Sequence, residues 1–87
     1  MKRWVRIFRT FANENRLNIV RFLTVERSKS VTDIANHLRI SLKATSRHLL
    51  LLEALDIVRG TGRAGHVFYS LEEKVPDDIK RAMRLFL

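Results

Sequence analysis

Two apolar patterns of helical period, standing three residues apart, constrain this chain more than any other feature of it. In the first, SVTDIANHL, Ser30 is followed three residues later by Asp33, a capping-box pattern. Ile34, Ala35 and Leu38 then fall on one face, which predicts a short helix from about Val31 to Arg39. The second pattern, ISLKATSRHLLLLEAL, reopens at a candidate N-cap, Ser41, and places Thr45, Leu49, Leu52 and Leu55 at spacings of three and four. Only Arg39, Ile40 and Ser41 separate the two, and helices joined so tightly must cross at a steep angle. The expected unit is a helix-turn-helix over residues 30–55, with the small Ala35 where the two helices approach.

After Leu55 the period changes from helical to alternating, through Ile57-Val58 and His66-Val67-Phe68-Tyr69-Ser70-Leu71. Residues 57–71 therefore read as a two-stranded hairpin. All three glycines of the chain lie between these runs, beside Arg59 and Arg63, so the expected tip is a glycine-rich loop that bends freely and carries positive charge. Such a tip suits contact with phosphate.

The flanking segments add three more helices. Trp4, Ile7, Phe8 and Phe11 form one stripe of a first helix, with Lys2, Arg3, Arg6 and Arg9 mostly opposite. Asn13 is a good N-cap for a second helix over 14–25, whose buried face is Leu17, Ile19, Val20 and Leu23. Residues 26–29 read as a polar connection. At the far end Pro76-Asp77-Asp78 opens a last helix, with proline in the first turn and two carboxylates facing the helix dipole. Ile79, Ala82, Met83 and Phe86 repeat on one of its faces. The fold class is mainly α with a small β-hairpin, five helices and a two-stranded wing, in one domain spanning 1–87.

At 87 residues the core is modest, and oligomerisation often relieves marginal stability at this size. No apolar run approaches the ~20 residues needed to span a bilayer, and Arg6 and Arg9 interrupt what would be a signal peptide, so a cytoplasmic chain with no membrane partner is expected. The net charge of +8 points to a polyanionic partner. Residues 1–29 carry a balance of +6, residues 30–71 only +2 and residues 72–87 zero, so specificity must come from placement more than from bulk charge. Cysteine is absent, which removes disulfides and thiolate chemistry. No glycine loop precedes a Lys-Ser/Thr pair and no nucleophile lies beside a plausible base, so no enzyme activity and no cofactor are expected.

Taken together and in this order, ENRLNIVRFL, VTDIANHLRISLKATSRHLLLLEALDIV and RGTGRAGHVFYSL resemble the winged-helix repressors of the ArsR/SmtB type over residues 10–71. The TSRHLLLLE string and the glycine-arginine wing ending in VFYSL carry most of that resemblance. It implies a homodimeric, sequence-specific regulator of transcription, a repressor, bound to double-stranded DNA. Residues 1–12 and 76–87 would be the dimerisation helices, with Trp4, Ile7, Phe8, Phe11, Ile79, Met83 and Phe86 at the interface. In a helix-turn-helix the N-terminal part of the second helix enters the major groove, which nominates Ser41, Leu42, Lys43, Ser46 and Arg47, with Leu50 as a further position. Lys43 and Arg47 suit guanine acceptors and Leu42 a thymine methyl, while Leu42 and Leu50 equally suit a place in the core. His48 reads as a packing residue. Arg59 and Arg63 of the wing would approach the adjacent minor groove or backbone. With about four phosphates neutralised per protomer, a dimer's log affinity would fall with log salt at a slope near ~−7.

Two departures from the family pattern bear on chemistry. Where members hold Cys-Val-Cys at the start of the first reading helix, this chain has Ser30-Val31-Thr32, and hydroxyls are poor ligands for soft metals. Residues 76–87 contain no histidine, and His37, His48 and His66 form no metal-ligand spacing, so no metal site is expected. Arg39 and Asp56 stand where glycine is common, at turns that call for a left-handed backbone. The alternatives are a winged helix that binds protein or RNA within transcription machinery, or a non-specific architectural DNA binder.

Overall fold

Three short polar side chains set where helices begin. In the computed structural model, which describes residues 1–87, Asn13 Oδ1 accepts from the backbone N–H of Arg16 at 3.2 Å, Ser30 Oγ from Asp33 at 3.0 Å and Ser41 Oγ from Ala44 at 3.0 Å. Each satisfies an N–H that has no partner inside its helix. The elements run α1 (Lys2–Phe11), α2 (Glu14–Glu26), β1 (Ser28–Ser30), α3 (Val31–Leu38), α4 (Leu42–Ala54), β2 (Val58–Arg63), β3 (His66–Leu71) and α5 (Asp77–Met83). This is a winged helix-turn-helix, with α3 and α4 as its paired helices and β2 and β3 as its wing.

The helix ends match the two departures noted in the sequence. After α3, Arg39 is left-handed at φ 58° and ψ 44°. The N–H groups of Ile40 and Arg39 donate to the carbonyls of Ala35 and Asn36, at 3.2 and 3.3 Å, the paired bonds of a Schellman ending. After α4, Asp56 is left-handed at φ 58°, and the N–H groups of Ile57 and Asp56 donate to Leu52 and Glu53 at 3.1 and 3.0 Å. The same closure thus ends both helices of the reading unit without glycine at either.

The sheet differs from the expected hairpin in two respects. It has three antiparallel strands in the order β1-β3-β2, since Ser28–Ser30, which joins the end of the expected 26–29 connection to the Ser30 cap, pairs along β3 with Ser28 opposite Ser70 and Ser30 opposite Phe68. A three-residue polar strand carries no alternation to read; it forms because β3 presents an otherwise unpaired edge. The hairpin tip is also tighter than a glycine-rich loop. Gly60 and Gly62 lie within β2, and the reversal uses only Ala64 and Gly65, at φ 53° and 80°. Two successive positive φ values give the turn whose twist matches that of its strands. Gly60 serves packing instead: opposite Tyr69 in register, it lies so close under that ring that a Cβ there would stand 3.0 Å from Tyr69 Cζ.

The core gathers Ile7, Ile19, Val20, Leu23, Ile34, Leu49, Leu52, Leu55, Ile57, Val58 and Ile79. Between α3 and α4 the small Ala35 is buried, as close helix approach requires. Phe22 of α2 stacks on the His37 ring of α3 with centroids 3.8 Å apart. The reading unit is therefore held from behind by α2 and from below by the strands.

Candidate nucleic-acid interface

The inner face of α4 is fixed before its outer face is considered. Thr45, Leu49 and Leu52 have no exposed surface, and the buried Thr45 hydroxyl is satisfied by donating to the Ser41 carbonyl at 2.8 Å. A helix anchored by three enclosed side chains presents its opposite face at a defined angle. That face carries Lys43, Ser46 and Arg47, all exposed. Leu42 and Leu50 are 54% and 62% exposed, so neither joins the core. Ser41 is exposed at the helix start, where its Oγ is occupied as the cap acceptor and its O–H remains available outward. Leu51, 44% exposed beside Leu50, is a surface residue that periodicity alone assigned to neither role.

His48 lies at the edge of this face, half-buried. Its Nδ1 stands 3.0 Å from Arg16 Nη1, and since a guanidinium only donates, Nδ1 is the acceptor and the proton sits on Nε2. Partial burial lowers the imidazole pKa below its ordinary value, and the Arg16 and Arg47 charges push it the same way. Arg16 also donates from Nε to the Thr10 carbonyl at 2.6 Å and from Nη2 to the Arg9 carbonyl at 3.4 Å. The packing role read for His48 in the sequence matches this arrangement, but Arg16 as its partner had no sequence signal.

The structure does not bring the two wing arginines together. Arg63 closes the turn opposite His66, with its guanidinium 4.6 Å from the Phe68 ring centroid. Stacking on that ring orients the charge at the tip. Arg59 sits four residues back along β2, roughly 14 Å away at ~3.4 Å per residue, opposite Ser70. Its guanidinium faces Glu73 at 3.7 Å, and it lines a shallow cavity with Leu23, Thr24 and Arg27. Arg63 belongs to the wing tip; Arg59 belongs to the wing base.

The terminal helices close on each other within the protomer. Arg3 forks onto the Asp78 carboxylate, which also accepts from the Ile79 N–H at 2.8 Å. Phe11 and Phe86 lie 5.3 Å apart between ring centroids. Ile7 and Ile79 have no exposed surface, and Phe11 and Met83 have less than a tenth. The expectation that these four form an interface is corrected: α5 has a partner inside the domain, and they belong to the protomer's own core. Of the expected set, Phe8 remains exposed, at 57%, with Trp4 and Phe86 partly so. Trp4 packs against Phe8 at 5.5 Å. Val5, Leu85 and Leu87, not nominated by the sequence, add exposed apolar surface on the same two terminal segments.

Comparison with known proteins places this arrangement among regulators. The family described as bacterial regulatory protein, arsR family, matches residues 13–59. A cadmium resistance transcriptional regulatory protein CadC homolog of Staphylococcus aureus is 30% identical over 69 residues. That alignment takes in 79% of this chain and 57% of the relative, so the chain spans little more than half of that protein's length. Among solved structures, reduced HlyU from Vibrio cholerae is 31% identical with a TM-score of 0.75, covering 93% of this chain and 81% of that one. NolR from Sinorhizobium fredii is 27% identical with a TM-score of 0.77, covering 93% and 77%.

Proposed function

Since the chain belongs to the arsR family of bacterial regulatory proteins, which are transcriptional regulators and not enzymes, we propose that it is a homodimeric repressor that reads double-stranded DNA through α4. One observation carries this reading. A helix locked by Thr45, Leu49 and Leu52 turns Leu42, Lys43, Ser46 and Arg47 outward along its first two turns, with the bare Leu50 following one turn on. Charged donors and apolar side chains side by side are what major-groove edges require, the donors for guanine N7 and O6 and the apolar groups for thymine methyls.

In this reading Lys43 and Arg47 make base or phosphate contacts, Leu42 and Leu50 meet methyl groups, and Ser41 and Ser46 donate to backbone oxygens. Arg63 reaches the neighbouring groove or backbone from the wing tip, and Arg59 supports the wing base. The second protomer packs on Phe8, Trp4, Phe86 and their exposed neighbours Val5, Leu85 and Leu87. A pair of reading helices then meets two half-sites, as symmetry demands of a dimer. At the start of α3 this reading has no thiolate metal switch, because Ser30, Val31 and Thr32 offer only hydroxyls there. No helix is long and apolar enough to cross a membrane.

The test is fluorescence anisotropy with the duplex upstream of the protein's own coding region, against a scrambled duplex as competitor. The repressor reading expects preferential binding, and loss of that preference in Arg47→Ala and Leu42→Ala. Equal binding to both duplexes would mean an architectural DNA binder. Absence of binding to either would refute DNA reading and favour a protein or RNA partner.

A further inference from the structure

The Arg16 side chain makes three polar contacts, all of them to groups outside α2. Its guanidinium lies across the corner where α1 meets α2 and donates to the last carbonyls of α1, those of Thr10 and Arg9. Those carbonyls carry the negative end of the helix dipole and have few partners within α1, so a cation suits them. The remaining nitrogen, Nη1, reaches His48 Nδ1 in the second turn of α4. On the same turn, Arg47 points outward. One side chain therefore joins the terminal helix to the reading helix, elements far apart in sequence and otherwise linked through apolar packing, which fixes position less sharply than directed bonds do.

We propose that Arg16 and His48 are a positioning pair that sets α4 against the α1–α2 corner, so that discrimination between DNA sequences depends on His48 remaining a hydrogen-bond acceptor. The proposal rests on the DNA-reading function above and assigns a role to two residues that touch no base. Its chemistry is specific. A neutral imidazole with its proton on Nε2 accepts from Arg16. A protonated imidazole has no lone pair on Nδ1 and places a cation against the Arg16 guanidinium, so the bond opens. The charges acting on His48 are Arg16 from α2 and Arg47 from its own helix, both positive, while α1 contributes only carbonyls to the junction. All three influences favour the accepting, neutral form near pH 7. As pH falls the proton eventually wins, and positioning is lost.

Acidification also adds positive charge next to DNA, which raises affinity for any duplex. Affinity alone therefore mixes two opposite effects, and the informative readout is the ratio of affinities for a selected and a scrambled duplex. The selected duplex is one enriched from a random pool by the unmodified protein. His48→Asn keeps an acceptor, Oδ1, where Nδ1 stands, and cannot titrate; His48→Leu has nearly the same shape and no acceptor. The expected result is that His48→Asn retains the ratio at every pH. His48→Leu should lose about tenfold of it, the scale of one charge-assisted hydrogen bond, while binding to the scrambled duplex stays unchanged. In the unmodified protein the ratio should fall on acidification.

A second measurement does not involve DNA. Long-range proton–nitrogen correlation spectra of the free protein should show His48 with a bare Nδ1. In Arg16→Met its titration should move up toward the ordinary histidine value of ~6.5. Equal ratios for His48→Asn and His48→Leu, or a proton resident on Nδ1 near neutral pH, would overturn the proposal even if the protein reads DNA well. If His48→Leu fails to fold, Arg16→Lys decides instead. It keeps the charge but cannot bridge Thr10 and His48 together, and an undiminished ratio would refute the pairing. Enrichment of no duplex at all would refute the DNA-reading function and this proposal with it, whatever the spectra show.

Discussion

Replacing Arg39 by glycine should stabilise the protein, and the size of the gain follows from one backbone angle. Arg39 holds φ at 58° and ψ at 44°, where a side chain crowds the following carbonyl at a cost of ~1–2 kcal/mol. Glycine removes that cost but brings back conformational freedom in the unfolded chain, worth ~0.5–1 kcal/mol. The expected net gain is about 0.5–1 kcal/mol, and in a domain of this size ~1 kcal/mol moves the melting temperature by ~4–8 °C. Arg39→Gly should therefore melt about 4 °C higher in a thermal scan at fixed protein concentration without DNA. Arg39→Ala is the control. It deletes the same charge and side chain but keeps the Cβ, so it should melt close to the unmodified protein. An equal rise in both variants would show that relief of charge repulsion, not of backbone crowding, is responsible. A fall in Arg39→Gly would mean that the turn does not adopt the left-handed geometry that sets the angle between α3 and α4.

Two further outcomes follow from the terminal helices. The Arg3 guanidinium on Asp78 holds its carboxyl below the usual carboxylate range, against a smaller opposing effect of burial. A depressed carboxylate contributes stability that is present above its unfolded value of 3.8 and disappears as pH falls through the lower folded value. Asp78→Asn should thus unfold at lower urea than the parent at pH 7 and at the same urea in strong acid; a gap that persists in acid would mean that the Arg3 fork is not its source. Phe8→Ser alters a side chain exposed in the protomer, so folding should be nearly unaffected. Dimer dissociation measured by sedimentation equilibrium should strengthen by at least tenfold, given ~1.5–3 kcal/mol for burying one phenylalanine, and unchanged association would place the interface elsewhere.

What could be read from the sequence was whatever rests on period and caps. Ser30, Ser41 and Asn13 each act on the N–H three residues ahead, because capping is local and needs only the right side chain before an apolar repeat. Thr45, Leu49, Leu52 and Leu55 fall on one buried face for the same reason. What was not legible depends on partners distant along the chain. Strand β1 exists because β3 offers an edge, the place of Gly60 because Tyr69 lies over it, and the core role of Ile79 and Met83 because Arg3 and Phe11 receive α5. Periodicity reports which face of a helix is apolar. It does not report whether that face meets its own domain or a second copy.

The same limit applies to charge, and it changes the expected electrostatics of DNA binding. Counting arginines along the hairpin puts Arg59 and Arg63 together on the DNA, giving about four phosphate contacts per protomer. In the fold Arg59 faces Glu73 at the wing base, and the +6 of the first segment is partly engaged elsewhere, with Arg3 on Asp78 and Arg16 inside the α1–α2 corner. Of the four cations nominated for DNA contact, Lys43, Arg47 and Arg63 remain exposed and without a carboxylate partner. Three contacts per protomer make six for a dimer, and the slope of log affinity against log salt should then lie near ~−5. Lys2, Arg6 and Arg9 are also exposed, along α1 beside Met1 and Val5. If they too met phosphate, the slope would steepen to about −11, and triple substitution of those residues would return it to the smaller value. A salt titration of the unmodified protein therefore decides whether the basic first helix is part of the interface. A slope near zero would mean that phosphate contacts do not hold the complex together, and the reading of α4 as a DNA-facing helix would fall with it.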